Sequence, residues 1–191
     1  MYLKKIAIIF SLCLLICNIA LAKTLPNPDT SAVSACLIDA DDNGVLYGKD
    51  EDIMHPASTT KIMTAILALE SGKLDEPLVI TPEAVNTEPS SLGLRLGDKI
   101  TLREALIGMM IVSGNDAAVA VAQTVAGSVP AFAKMMNDKA KELGAVNTHF
   151  LNPHGLTAQG HYSTAHDMAI IASYAMKKPE FREIVSRKAY N

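Results

Sequence analysis

Ser58-Thr59-Thr60-Lys61 places a hydroxyl and an amine three residues apart. Serine is a weak nucleophile until a base takes its proton. On a helix, residues i and i+3 share a face, which brings Lys61 within hydrogen-bond reach of Ser58. A serine in the first turn also has the positive end of the helix dipole behind it, where developing negative charge is favoured. Lys61 can act as a base once burial or a nearby cation lowers its pKa. The same residues also fit an ordinary helix start, and a bare S-x-x-K arises about once by chance in a chain of this length. Ser113-Gly114-Asn115 is the second candidate, at a break between two apolar helices. Such a break costs backbone hydrogen bonds and packing. A tight loop there could aim the Ser113 hydroxyl at a leaving amine, as a proton relay, and the Asn115 carboxamide at a substrate amide. A C-cap glycine followed by an Asn or Asp N-cap satisfies the same residues. His154, His161 and His166 lie close in sequence and raise the question of zinc. The five-residue spacing of the last two does not put both on one helix face, and there is no H-E-x-x-H, so ordinary loop and helix roles are favoured.

The elements that must position these residues follow from caps and periodicity. Ala32 to Asp39 reads as a buried strand, Asp41-Asp42-Asn43-Gly44 as a turn and Val45-Leu46-Tyr47 as the return strand of a hairpin. A helix is expected from near Ser58, with Ile62, Ala65, Ile66 and Leu69 inward and Gly72 as its stop. Residues 73–100 are punctuated by Pro and Gly and predict short strands at best. Thr101 and Glu104 form a capping box that opens a helix through Met109 and Met110. A further apolar helix runs from Asp116 to about Ala126. Ser128 caps the next, with Phe132, Met135, Met136 and Leu143 inward, and Asn152-Pro153-His154-Gly155 is a turn. Thr164 with Asp167 caps a helix from Ala165 to Met176, and Pro179 starts a short one to about Ser186.

The chain has 191 residues, 49% apolar and 19% charged, which suits one globular domain. Net charge is −3 and no basic block exists, which excludes nucleic-acid tracking. Trp is absent, so Ala, Val, Ile, Leu and Met must fill the core. Lys4 and Lys5, the apolar run Ile6 to Leu15 and Ala20-Leu21-Ala22 read as a signal peptide over 1–22. Residues 23–31 read as a linker and 32–191 as the domain. Ile16 before Cys17 argues against lipidation. Cleavage leaves Cys36 without an internal disulfide partner, and its apolar surroundings read as core.

Four segments, in order, carry a resemblance. H-P-A-S-T-T-K at 55–61, V-S-G-N-D-A at 112–117, N-P-H-G-L at 152–156 and G-H-Y-S-T-A-H-D-M-A at 160–169 resemble the serine D-alanyl-D-alanine carboxypeptidases, the low-molecular-mass penicillin-binding proteins. The resemblance runs from about Ala32 to the last residue. Class A β-lactamases share the S-x-x-K and S-x-N pattern but usually carry Asp where this chain has Gly114. The resemblance implies a mixed α/β (α+β) fold of the penicillin-binding/β-lactamase-like transpeptidase kind. It implies an acyl-transfer hydrolase in which Ser58 attacks the carbonyl between two D-alanines of a peptidoglycan stem peptide. Lys61 would take the proton, Ser113 would protonate the departing D-alanine, Asn115 would hold the peptide amide and water would release the acyl-enzyme. β-Lactams would acylate Ser58 as substrate mimics. No metal or organic cofactor is implied, and the expected location is exported, periplasmic or at the extracellular face of the bacterial cytoplasmic membrane; membrane association is left open.

The family's third box, K-T-G, does not occur in this sequence. That strand would supply a cation and hydroxyl for the substrate carboxylate and half of the oxyanion hole, and one lost oxyanion donor costs about a hundred- to a thousandfold in rate. The expectation is an incomplete catalytic domain, with later sheet strands missing, an apolar hairpin surface exposed and turnover slow or absent. A non-catalytic module that binds stem peptides is the alternative, and a β-lactamase the rival among enzymes. His166 stands where relatives often carry Arg.

Overall fold

The computed structural model describes residues 28–49 and 52–187. The signal peptide, Cys13 and Cys17 lie outside them, as does most of the linker. Residues 32–191 form a unit distinct from 1–31.

The hairpin pairs β1 (Ala35–Ile38) with β2 (Val45–Lys49) antiparallel, with Cys36 opposite Gly48 and Leu37 opposite Tyr47. Its turn is closed by short polar side chains. The Asp39 amide donates to the Gly44 carbonyl at 2.8 Å, the Gly44 amide donates to Asp42 Oδ1 at 2.7 Å, and Asn43 takes the left-handed conformation. The strand is shorter than the apolar run predicts, and Cys36 is half-buried rather than core. Leu37, Val45 and Leu46 are exposed.

A 3-10 turn (Ala57–Thr60) leads into α1 (Lys61–Glu70), so Ser58 stands in the tighter turn and Lys61 opens the α-helix. Residues 73–100 hold a short helix, α2 (Pro82–Val85), capped by the Thr81 side chain, where short strands are expected. α3 (Leu102–Val112) begins at the Thr101–Glu104 capping box: Thr101 Oγ1 accepts from the Glu104 amide and Glu104 Oε2 accepts from the Thr101 amide at 2.7 Å. α4 (Asn115–Ala126) follows after Ser113 and Gly114 alone. α5 (Val129–Glu142) starts at the Ser128 cap, α6 (Ala165–Met176) at the Thr164 cap and α7 (Pro179–Val185) at its proline.

α4 is the centre of the core. Ala117, Ala118, Val119, Ala120, Val121 and Ala122 are all buried, as expected of a helix surrounded by neighbours. The small side chains let α1, α2, α3 and α5 approach it closely. Met63 and Ile66 of α1, Leu102, Leu106 and Met109 of α3 and Met136 of α5 fill the space between them. Three of the four phenylalanines, Phe132, Phe150 and Phe181, are core anchors despite the low aromatic content. Met135 is 38% exposed, against the inward position expected. The face that α5 turns to the core carries Phe132, Ala133, Met136 and Ala140, which leaves Met135 toward solvent.

Candidate active site

Ser58 is exposed at the surface, with Lys61 buried beneath it. The amine of Lys61 donates to Ser58 Oγ at 3.2 Å, to Asn115 Oδ1 at 2.7 Å and to the His154 carbonyl at 3.0 Å. These three acceptors match the three protons of an ammonium. Two of them, the carboxamide oxygen and the backbone carbonyl, can only accept. If the amine loses a proton, those two contacts keep its remaining hydrogens, and the lone pair is left facing the one partner that can also donate, Ser58. Burial pushes the Lys61 pKa down to about 8, so the neutral form is within reach near neutral pH.

Ser113 caps the C-terminus of α3 in a left-handed conformation, φ 57°. That backbone is strained for a residue other than glycine, Asn or Asp. It turns the hydroxyl back over the break, where Ser113 Oγ donates to Ser58 Oγ at 3.0 Å. Lys61, Ser58 and Ser113 thus form a continuous hydrogen-bonded row.

Asn115 opens α4, and its carboxamide is already engaged: Oδ1 accepts from Lys61, and Nδ2 donates to the Glu88 carbonyl at 2.9 Å. What remains for a substrate is the second Nδ2 proton. The Asn115 amide donates to the Ser90 carbonyl at 2.7 Å. This loop is fastened further by Asp116, a buried carboxylate to which sequence reasoning assigns no more than a capping role. Its oxygens accept from Ser91 Oγ, from the amides of Leu92, Gly93 and Leu94, and from the Ala117 amide, all within 3.0 Å. Burial works to raise the Asp116 pKa; the bonds from Leu92, Ser91, Leu94 and Ala117 outweigh it and hold the carboxyl below the usual carboxylate range. The clamped loop forms one wall of a cleft of about 290 Å³ lined by Ser58, Pro89, Ser90, Asn115, His154 and Leu156. A second cleft of about 320 Å³ is lined by Ser58, Lys61, Ile62, Met109, Met110 and Ser113.

The clamp leaves no room at Gly114. A Cβ there would lie 2.9 Å from both the Leu92 amide nitrogen and Asp116 Oδ1. Gly114→Asp would also set a second carboxylate beside Asp116. The expected result is a loss of about 2–4 kcal/mol of stability, read from the denaturant midpoint.

The segment 152–156 lines the site through His154, Gly155 and Leu156. Asn152 Oδ1 accepts from the Gly155 amide at 2.7 Å, making the expected turn. Gly155 has φ +88° and packs against the backbone of Ala57. The three histidines considered as zinc ligands are engaged otherwise. His154 Nδ1 accepts from the Leu156 amide at 3.1 Å, and burial, with the Lys61 charge, pushes its pKa down to about 4. His161 bonds Thr60 and Leu151. His166 Nδ1 lies 3.8 Å from Asp167 Oδ1.

Comparison with known proteins bears on this site. The family model for D-alanyl-D-alanine carboxypeptidase, Peptidase_S11, matches residues 21–191. D-alanyl-D-alanine carboxypeptidase DacF of Bacillus subtilis is 47% identical over 152 residues, 76% of this chain and 39% of that protein. The crystal structure of D-alanyl-D-alanine carboxypeptidase from Mycobacterium tuberculosis aligns with a TM-score of 0.83 at 35% identity, over 88% of this chain and 65% of that one. Penicillin binding protein 5 from Haemophilus influenzae aligns with a TM-score of 0.81 at 30% identity, over 87% of this chain and 52% of that one. The chain spans less than two thirds of the length of each. Ser58, Lys61, Ser113 and Asn115 therefore stand together in a scaffold of D,D-peptidase type, and the chain belongs to the D-alanyl-D-alanine carboxypeptidase family, peptidase S11.

Proposed function

We propose that this chain carries the catalytic serine of an exported D-alanyl-D-alanine carboxypeptidase that trims the terminal D-alanine from peptidoglycan stem peptides and is acylated by β-lactams. The observation that carries this reading is the Lys61 amine, buried, pinned by two carbonyls and facing Ser58 Oγ at 3.2 Å. Ser58 Oγ attacks the carbonyl between the two D-alanines while its proton passes to Lys61. On collapse of the tetrahedral adduct the C–N bond breaks, and a proton reaches the departing amine through Ser113, which Ser58 already contacts. Water then attacks the ester, giving the shortened peptide and free Ser58. Asn115 offers its free Nδ2 proton to the substrate's backbone carbonyl. The family membership and the relatives named for penicillin binding support the same assignment of substrate and inhibitor.

Intact-protein mass after incubation with benzylpenicillin tests this. A covalent adduct on the wild type and none on Ser58→Ala is expected. D-alanine release from a peptide ending in D-Ala-D-Ala then separates an enzyme from a module that only binds. A wild type that retains its melting transition and forms no adduct overturns the proposal.

A further inference from the structure

We propose that His161, acting through Thr60, is the positioning residue that fixes Ser58 against Lys61; this rests on the reading of Ser58 as nucleophile. His161 is 1% exposed, and its ring packs edge-on against Phe150 with centroids 5.7 Å apart. Its Nδ1 accepts a hydrogen bond from the Leu151 amide at 3.0 Å. That nitrogen must therefore be unprotonated, which commits the ring proton to Nε2. Nε2 lies 3.0 Å from Thr60 Oγ1, so Nε2–H donates to the threonine hydroxyl. Thr60 is two residues after Ser58 and closes the 3-10 turn.

The same stretch also grips the chain before Ser58. The His161 carbonyl accepts from His55 Nδ1 at 3.0 Å, and Met54 and Ser163 exchange backbone hydrogen bonds at 2.8 and 2.9 Å. Residues 161–163 thus hold the nucleophile segment on both sides. Between the two grips, Ala57 is in the left-handed region at φ +47°. Such a conformation relaxes unless its surroundings over-determine it. Burial first, and the His55 and His149 charges next, push the His161 pKa down to about 4, so the ring stays neutral in the working range.

Lys61 is fixed separately, by Asn115 and the His154 carbonyl. Loss of the His161–Thr60 bond therefore loosens Ser58, while the two carbonyls that pin its base and the burial that lowers its pKa stay in place. The expected signature is a slower acylation with an unmoved pH midpoint. Two carboxamides separate the two ring nitrogens. His161→Gln keeps a donor near the Nε2 position, and His161→Asn keeps an acceptor near Nδ1 alone.

The test is the second-order rate of acylation of the full chain by benzylpenicillin between pH 6 and 9, with wild type, His161→Gln, His161→Asn and Thr60→Val. His161→Asn and Thr60→Val are expected to be about 10- to 100-fold slower with the wild-type pH midpoint. His161→Gln should recover most of the rate. Combining His161→Asn with Thr60→Val should cost little more than either alone, since both remove one interaction. If the wild type is acylated and His161→Asn and Thr60→Val react as fast, this role is overturned and the functional reading stands. If the wild type forms no adduct, the functional reading falls and this role with it. Long-range proton–nitrogen spectra give a readout independent of acylation: a proton on Nδ1 of His161 overturns the proposal, and one on Nε2 supports it.

Discussion

Lys61→Met is expected to slow acylation of Ser58 by benzylpenicillin about a thousandfold or more, and Lys61→Arg by nearly as much. Methionine keeps the length of the side chain in a buried slot and removes the amine. General-base assistance contributes about a hundred- to ten-thousandfold. Methionine also leaves Asn115 Oδ1 and the His154 carbonyl without their shared donor, which adds to the loss. Arginine separates base from charge. It can donate to both carbonyls, but its guanidinium stays protonated at any workable pH. If Lys61 only neutralised negative charge, arginine would restore activity. The wild-type rate gives the complementary signature. With the Lys61 pKa lowered to about 8, the neutral base grows about tenfold per unit of pH below that point and saturates above it. The acylation rate should climb from pH 6 and level off above about pH 8. A rate that stays flat from pH 6 to 9, or a Lys61→Arg variant with more than a tenth of wild-type activity, would sink the assignment of Lys61 as base.

The second large effect is steric. A Cβ at Gly155 would lie 1.8 Å from the Ala57 carbonyl oxygen, 2.4 Å from its carbon and 2.9 Å from Thr60 Oγ1. The first two are backbone atoms of the turn that carries Ser58, and no rotamer change removes them. Gly155→Ala must displace that turn, at a cost of about 3 kcal/mol or more once the unfavourable φ of +88° is added to the overlap. Acylation should fall below detection along with the melting temperature. Gly160→Ala is the matched control. Its φ is +92°, but the nearest atom to its Cβ would be Leu151 Cδ1 at 3.7 Å. It should lose about 1–2 kcal/mol from backbone strain alone and keep its reactivity. Equal losses in the two variants would show that φ, rather than contact with Ala57, dominates at both sites.

What could be read in the sequence was local. The Thr101–Glu104 box, the Ser128 and Thr164 caps and the Asp41–Gly44 turn each involve residues within a few positions, and all appear where expected. The Ser58–Lys61 spacing is local too, though Ser58 sits in a 3-10 turn rather than in the α-helix. Ser113 was legible because a break between two apolar helices needs a reason. The rest was set by distant contacts. Asp116 looks like any acidic residue in a first helical turn until the loop 91–94 folds onto it. Asn115 reads as a substrate ligand, whereas its oxygen is first a fixed acceptor for Lys61. Nothing near Gly155 in sequence announces the backbone of Ala57. Met135 reads as inward and is exposed, because hydrophobicity alone cannot tell which of two adjacent methionines faces the core.

The contacts that hold Ser58 and Lys61 in place join residues far apart along the chain: 106 positions separate His55 and His161, 101 Thr60 and His161, and 93 Lys61 and His154. A polypeptide emerges N-terminus first, so the serine and lysine leave the ribosome well before the segment that desolvates one and aligns the other. Until that segment arrives, Lys61 is a solvated ammonium and Ser58 an ordinary alcohol. Before then the chain presents no activated serine. With Ser58 as the proposed nucleophile, labelling by a β-lactam is expected to report completed tertiary folding rather than the amount of polypeptide, and to count how many chains have brought their two halves together.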